Sequence, residues 1–198
     1  MLEILKSIDT GLFLAINGAH SAFFDFIMFW ASQRLIWIPL YVFFAYLLVK
    51  HYGKRAWILV LMAGLLIVIS DLTSVHLFKN VFLRLRPCHE PSLAGMVHLV
   101  NDRCGGQYGF ISSHAVNSFA LATYLSLLLG KKIKYFSMLI TLWALLLCYS
   151  RIYLGVHYPG DVIVGGIWGA GLGASVFLLV EFIFKKNSHH STTPPLHH

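Results

Sequence analysis

The sequence predicts an all-α fold, a polytopic membrane bundle of about six transmembrane helices. Of its 198 residues, 58% are hydrophobic and only 12% are charged, whereas a soluble domain carries about 25% charged residues. Long apolar segments recur between short basic ones, and a spanning helix needs about 20 predominantly apolar residues. No linker divides residues 1–186, so we expect a single domain there. Residues 187–198, rich in His, Thr and Pro, are predicted to be a disordered tail, and the sequence leaves open whether all of it is native.

The N-terminal region is the least regular part of the predicted bundle. Residues 2–18 are amphipathic and 21–32 are apolar but short, which fits either one irregular span or two interfacial helices. No cleavable signal peptide is expected, because Glu3, Lys6 and Asp9 interrupt the N-terminus and no small-residue cleavage site follows. Five clear spans come next, at 35–49, 56–78, 114–129, 135–150 and 161–184.

Basic residues at the span ends predict the orientation, because cytoplasmic loops carry an excess of lysine and arginine. The segments 50–55, 130–134 and 185–186 hold eight of the fifteen such residues and alternate correctly to face the cytoplasm. Five other cations then lie on the outer face, and these are Lys79, Arg84, Arg86, Arg103 and Arg151. Snorkelling to the headgroups would explain any one of them, but five beside two histidines indicate a function.

The last span carries Gly165, Gly169 and Gly173 at four-residue spacing. Small residues at this spacing let two membrane helices approach closely. We therefore predict tight packing of this helix inside the bundle, in preference to a dimer interface.

Two cations and two serines mark the first two of three polar segments predicted to converge on the outer face. Lys79 and Arg86 are seven residues apart, or two helical turns, so both should face the same way on one helix. Ser112 and Ser113 directly precede His114 and an apolar run. Serines are natural N-caps, and the free N–H groups of a helix start attract an oxyanion.

The third segment carries a histidine and a carboxylate at helical spacing. His157 and Asp161, four residues apart, lie on one face of a helical turn. Pro159 suits a helix start, because its missing N–H costs nothing in the first turn. Arg151 ends the preceding span, so this segment offers an imidazole, a carboxylate and a guanidinium in one place.

This inventory fits phosphoryl transfer through a covalent phosphohistidine. Asp161 would fix the tautomer of His157, leaving a lone pair aimed at phosphorus. His114 would protonate the leaving oxygen and later deprotonate the attacking water. Lys79, Arg86 and Arg151 would neutralise the equatorial oxygens. A single histidine at a membrane interface is usually structural; the joint spacing of the three segments indicates the site.

At these residues the chain resembles the type 2 phosphatidic acid phosphatase superfamily of integral membrane lipid phosphatases. That family shows K-x6-R-P, then P-S-G-H, then S-R-x5-H-x3-D. The first and third motifs match at every defined position, as Lys79-x6-Arg86-Pro87 and Ser150-Arg151-x5-His157-x3-Asp161. The second departs twice, with Ile111 for Pro and Ser113 for Gly, while Ser112 and His114 are kept.

The resemblance covers roughly residues 79–161. It implies a six-helix bundle, in which the N-terminal region supplies the extra helix. It also implies metal-independent hydrolysis of a lipid phosphomonoester or pyrophosphate, with catalytic and phosphate-binding roles as assigned above. The phosphate-binding set is then Lys79, Arg86, Ser112, Ser113 and Arg151. No metal or other cofactor is expected, because the histidines and carboxylates lack the closed spacing of a zinc site.

Cys88 and Cys104 lie in the polar loop 88–112, and Cys148 lies in a span. In an oxidising periplasm the loop pair should form a disulfide, a constraint worth on the order of 3 kcal/mol. Two unpaired small residues are the alternative. The bond would hold the first and second motifs together.

Three functions fit the sequence. The first is a lipid phosphatase of a bacterial inner membrane with its site facing the periplasm, acting on undecaprenyl pyrophosphate, phosphatidylglycerol phosphate, phosphatidic acid or a lipid A phosphate. The second is a phosphotransferase that uses the same phosphohistidine. The third is a non-enzymatic lipid-phosphate transporter, which would tolerate loss of His157 better than loss of Arg86. The expected partners are the lipid substrate and the bilayer, without nucleic acid.

Overall fold

The structure is a computed structural model that describes the backbone of residues 2–190 and the side chains of residues 3–186. Seven helices account for most of the described chain, and no strand forms within it. These helices are α1 (Leu2–Gly18), α2 (Ala22–Ala31), α3 (Ile38–Tyr52), α4 (Ala56–Thr73), α5 (Ser113–Leu129), α6 (Phe136–Tyr153) and α7 (Pro159–His190). The prediction of an all-α polytopic bundle is confirmed.

Three described stretches are long and apolar enough to span a membrane, namely Leu35–Phe82, Phe136–Tyr153 and Pro159–Lys186. The first contains both α3 and α4. The chain turns back near Gly53, between α3 and α4. Tyr41 of α3 and Ile67 of α4 therefore line the same cavity. The N-terminal region is a pair of helices that meet at 114°, so it is irregular, as the sequence indicates.

Helix α5 lies at the centre of the bundle and packs against α4, α6 and α7. Its closest neighbour is α7, whose glycines meet the α5 backbone. A β-carbon at Gly169 would run into the carbonyl of Val116, and one at Gly173 would run into the carbonyl of Ala120. The predicted tight packing of the last span is confirmed, because only residues without a side chain fit at this approach.

The prediction that Lys79 and Arg86 share one helix is wrong. After α4 the chain forms a π-helical turn over Ser74–Lys79 and a last short turn, and Leu83 then adopts a left-handed conformation with φ +49°. Pro87 disfavours helical geometry at the residue before it, and Arg86 is extended. The extended segment pairs with the loop before α5, where Gly109 N–H donates to the Arg84 carbonyl at 2.8 Å.

The polar loop between α4 and α5 is closed by a disulfide between Cys88 and Cys104. Cys148 is buried in α6 with a free thiol. Because Cys88 follows Pro87 directly, the bond ties the chain after the first motif to the chain that approaches the second. The loop is thereby held over the end of the bundle where the motifs meet.

The first four residues of the predicted disordered tail, 187–190, are helical instead. The backbone of α7 is helical as far as His190, so residues 187–190 continue the helix. The rest of the predicted tail, 191–198, lies outside the described residues.

Candidate active site

His157 occupies the buried loop between α6 and α7 and is only 2% exposed. Its Nδ1 lies 3.4 Å from Asp161 Oδ2, and its Nε2 lies 3.2 Å from Arg86 Nη1. A guanidinium only donates, so Nε2 carries the lone pair and the ring proton lies on Nδ1, towards the carboxylate. Burial, and then the positive charges of Arg86, Arg151 and Lys79, lower the pKa of His157 well below its usual 6.5. The ring is therefore neutral, with a lone pair on Nε2.

Asp161 is completely buried in the first turn of α7 and holds several donors at once. Its Oδ1 accepts from Arg84 Nη1 at 2.9 Å, and its Oδ2 accepts from the Tyr158 N–H at 3.1 Å. Its backbone carbonyl accepts from the Ser112 N–H at 3.0 Å. These contacts fix the carboxylate beside the imidazole and link the second motif to the third.

A second layer of contacts reaches Asp161 from α1. Arg84 donates from Nη2 to Asp9 Oδ2 at 2.6 Å. The other carboxylate oxygen of Asp9 accepts from the Gly160 N–H at 2.7 Å. Asp9 therefore satisfies a free N–H at the start of α7, and also orients the arginine that holds Asp161.

Sequence reasoning missed Asp9 and Arg84 as members of the site. The sequence places Arg84 among the outer cations and shows Asp9 as a charge that interrupts the apolar N-terminus, and neither pattern indicates a role at the site. The Asp9 contacts span 75 and 151 residues along the chain, and nothing local indicates them. Two features of the sequence could have indicated these residues. Asp9 is an acidic residue on an amphipathic helix, and Arg84 is a cation between Lys79 and Arg86 of the first motif.

Three cations surround the histidine. Arg86 is buried and donates to the Val156 carbonyl at 3.3 Å, and burial lowers its pKa, partly opposed by Asp161. Lys79 Nζ donates to Ser113 Oγ at 2.7 Å, so the serine that replaces glycine in the second motif supplies a contact of its own. Arg151 donates to Ser32 Oγ.

Several polar atoms in this group are buried without a partner among the described residues. They are Arg86 Nε, Arg151 Nε and Ser112 Oγ. A buried donor without an acceptor costs about 1–3 kcal/mol, so such atoms usually mark a place that a ligand or water completes. All three can donate to an oxyanion. The predicted capping role of the Ser112 side chain is wrong, because Ser112 precedes α5 but makes no side-chain cap.

His114 lies in the first turn of α5 and faces the carbonyl of Ser32. It is close enough to His157 and Arg151 for their charges to act on it. The structure thus brings together every residue that the sequence assigned to catalysis and phosphate binding. Lys79 and Arg86 arrive from different backbone segments rather than from one helix face.

A chamber of about 500 Å³ begins at His114 and extends between α3, α4, α5 and α6. Its walls are mainly apolar, and ligand sites in proteins commonly measure about 300–1,000 Å³. Its lining includes Tyr41, Phe44, Ile67, Leu121, Trp143 and Leu147. The chamber is apolar and reaches the cationic cluster at His114. The apolar walls suit the chains of a lipid phosphate, and the cluster suits its phosphate group.

One group of three potential metal ligands occurs within the described residues, formed by Cys88, His89 and Cys104. The two cysteines are bonded to each other, so their thiolates are not free to bind a metal. This group lies in the polar loop and is separate from the His157–Asp161 pair.

Comparisons with known proteins identify the family of the chain. Residues 55–185 match the model of the PAP2 superfamily. The chain is 41% identical over 197 residues to a lipid A 4'-phosphatase of Bacteroides thetaiotaomicron, covering 98% of this chain and 86% of that protein. It is 31% identical over 199 residues to a lipid A 4'-phosphatase of Porphyromonas gingivalis, covering 99% and 82%.

A solved structure has the same fold. The transmembrane PAP2-type phosphatidylglycerolphosphate phosphatase of Bacillus subtilis superposes with a TM-score of 0.66, covering 92% of this chain and 87% of that one. The two sequences are 22% identical, so this likeness concerns the fold alone.

Proposed function

The chain belongs to the PAP2 superfamily and is a membrane lipid phosphatase, and we propose that it passes the phosphate of its lipid first to His157 and then to water. One observation supports this mechanism above all others. Arg86 donates to Nε2 of His157 while Nδ1 faces the buried carboxylate of Asp161. A neutral imidazole with its lone pair among three cations is the arrangement that an attack on an anionic phosphate requires.

In the first step, Nε2 of His157 forms a bond to phosphorus and the bond from phosphorus to the lipid oxygen breaks. The negative charge of the bound phosphate favours the protonated form of His114. His114 gives this proton to that oxygen, so that the lipid leaves as an alcohol. Asp161 accepts from Nδ1–H throughout and stabilises the positive charge that develops on the ring. Arg86 donates to Nε2 in the free enzyme. When the phosphate binds, the guanidinium donates to its oxygens instead and leaves the lone pair of Nε2 free to attack.

The cations stabilise the transition state. Charge spreads over the three equatorial oxygens of a transferring phosphoryl group, and fixed cations there lower the barrier. Lys79, Arg86 and Arg151 supply this charge. The Nε atoms of both arginines and the Ser112 hydroxyl also lack a partner, and phosphate oxygens would satisfy them. The chain thus has its own means of stabilising the charge, and we propose that no metal is used.

In the second step, water attacks the phosphohistidine. His114, now neutral, takes a proton from that water. The bond from nitrogen to phosphorus breaks, inorganic phosphate leaves, and His157 returns to its neutral form. One histidine therefore acts as the acid in the first step and as the base in the second.

We infer that the substrate is a lipid A phosphate. The two lipid A 4'-phosphatases match this chain along 98% and 99% of its length, well beyond the motifs. The apolar chamber beside His114 suits the chains of such a lipid. Undecaprenyl pyrophosphate, phosphatidylglycerol phosphate and phosphatidic acid form the comparison panel.

The proposed location is the bacterial inner membrane, with the site facing the periplasm. The basic segments at 50–55, 130–134 and 185–186 support this orientation through the excess of cations in cytoplasmic loops. The disulfide of the polar loop favours the same side, because disulfides persist in oxidising compartments.

The test is phosphate release from the four-lipid panel in EDTA, by wild type, His157→Ala and His51→Ala. The last is the control, because His51 lies at the far end of α3. We expect release by the wild type and the control, fastest from lipid A, and a loss of at least about 10³-fold for His157→Ala. Release that survives His157→Ala would overturn the mechanism, and dependence on added metal would overturn the metal-free chemistry.

A further inference from the structure

Arg34 is a cation at the site that none of the three motifs contains. It lies in the turn between α2 and α3 and lines the chamber together with His114. Its guanidinium is exposed and makes no hydrogen bond or ion pair with any described residue. Its charge nevertheless acts on both His114 and Arg151. An exposed arginine that lies near other cations and has no carboxylate partner can bind an anion through charge-assisted hydrogen bonds.

The turn that carries Arg34 is anchored to the catalytic residues. Ser32 is buried, accepts from Arg151 through its hydroxyl and faces His114 through its carbonyl. The indole N–H of Trp37 donates to the Ala31 carbonyl at 2.8 Å on the other side of the turn. These contacts fix the backbone on both sides of Arg34, whose side chain lines the chamber.

The position of Arg34 assigns it to the leaving-group side of the reaction. In an in-line displacement the leaving oxygen lies opposite the nucleophile, and His114 is the group that protonates it. The chamber starts at His114, so the departing lipid occupies it. Arg34 lines this chamber together with His114, and its charge acts on His114.

We propose that Arg34 determines specificity by binding a second anionic group, on the part of the lipid that leaves. The preferred substrate is then a lipid with a further phosphate in its leaving group, and Arg34 binds that phosphate by a charge-assisted hydrogen bond. This inference rests on the proposed function, because it takes the leaving-group side from the roles of His157 and His114.

The test compares two lipids with identical chains and sugars. One is lipid A that keeps both of its sugar phosphates, and the other is lipid A that keeps only the phosphate to be removed. KM and kcat are measured for wild type, Arg34→Gln, Arg34→Lys and Arg103→Gln. Arg103 is the matched control, because it is an exposed arginine in the polar loop that does not line the chamber.

We expect Arg34→Gln to raise KM about tenfold for the two-phosphate lipid, as loss of one charged hydrogen bond does. Its KM for the one-phosphate lipid and both kcat values should stay within about twofold. Arg34→Lys should restore most of the preference, and Arg103→Gln should keep it. Equal changes in KM for both lipids, or no change, would overturn the inference while the proposed function stands. No release from either lipid by folded wild type would overturn the lipid A assignment and the role of Arg34 together.

Discussion

His157 combines burial, neutrality and surrounding positive charge, and these three properties decide what its ring nitrogen can do. A charged imidazole could not attack phosphorus, and an exposed one would titrate near pH 6.5. Burial and three cations hold the ring neutral, and the same cations attract the phosphate that it attacks. The arrangement thus favours the reactive form of the nucleophile and the binding of its target at once.

The pH dependence of kcat/KM should reflect this lowered pKa. Only neutral His157 is a nucleophile, and its pKa lies below 6.5, so the acid limb of the profile should lie below that value. The measurement is a pH profile with two lipid substrates whose phosphates ionise differently. An acid limb that lies at the same pH for both substrates reports the pKa of a group on the enzyme. A substrate-independent acid limb above pH 6.5 would mean that the His157 ring is protonated at neutral pH.

Arg84 is a positioning residue, because it touches Asp161 and Asp9 rather than the reacting atoms. Arg84→Gln should lower kcat about 10- to 100-fold, the effect typical of outer-layer partners of a site, with KM within about twofold. Arg84→Lys should recover part of the loss, because it keeps the charge between the carboxylates. Arg103→Gln is again the control. A rise in KM with unchanged kcat would instead place Arg84 in phosphate binding.

At the scale of helices, the sequence predicts the existence of elements well and their ends less well. Apolar length identifies the long helices, and four-residue glycine spacing identifies the face of α7 that meets α5. The sequence does not predict the extended segment after Phe82. The seven-residue spacing of Lys79 and Arg86 is typical of a helix, whereas Leu83 adopts a left-handed conformation that ends the helix. Such a conformation in a non-glycine residue leaves no local signal.

The chamber between α3 and α6 predicts a dependence on the lipid chain. Gly64 lines it, and a β-carbon there meets nothing within 4 Å, so Gly64→Leu should fill part of the space without disturbing the helix. Gly171→Leu is the matched control, because Gly171 is also mid-helix and unobstructed but lies outside the chamber.

We expect Gly64→Leu to lower kcat/KM for long-chain lipids about tenfold, since it blocks burial of several methylene groups. Hydrolysis of a small soluble phosphate ester should be unaffected. The control should match the wild type on both. Equal losses on the lipid and on the soluble ester would show that the chamber does not hold the chain.

At the scale of the whole molecule, the site is assembled from residues between Asp9 and Asp161. The motifs alone identify its inner residues, because phosphoryl transfer requires particular side chains at particular spacings. They say nothing of α1, whose Asp9 reaches the start of α7, or of the turn that carries Ser32 and Arg34. Those contacts depend on how the helices pack, and packing is decided by the whole chain rather than by any local pattern.

The most direct test of the central claim is the stereochemical course at phosphorus. The measurement uses a lipid phosphate made chiral by sulfur and oxygen isotopes, hydrolysed in isotopically labelled water. Transfer to His157 and then to water comprises two in-line displacements, each of which inverts the phosphorus, so we predict net retention of configuration. Net inversion would show a single direct attack by water and would contradict the phosphohistidine mechanism.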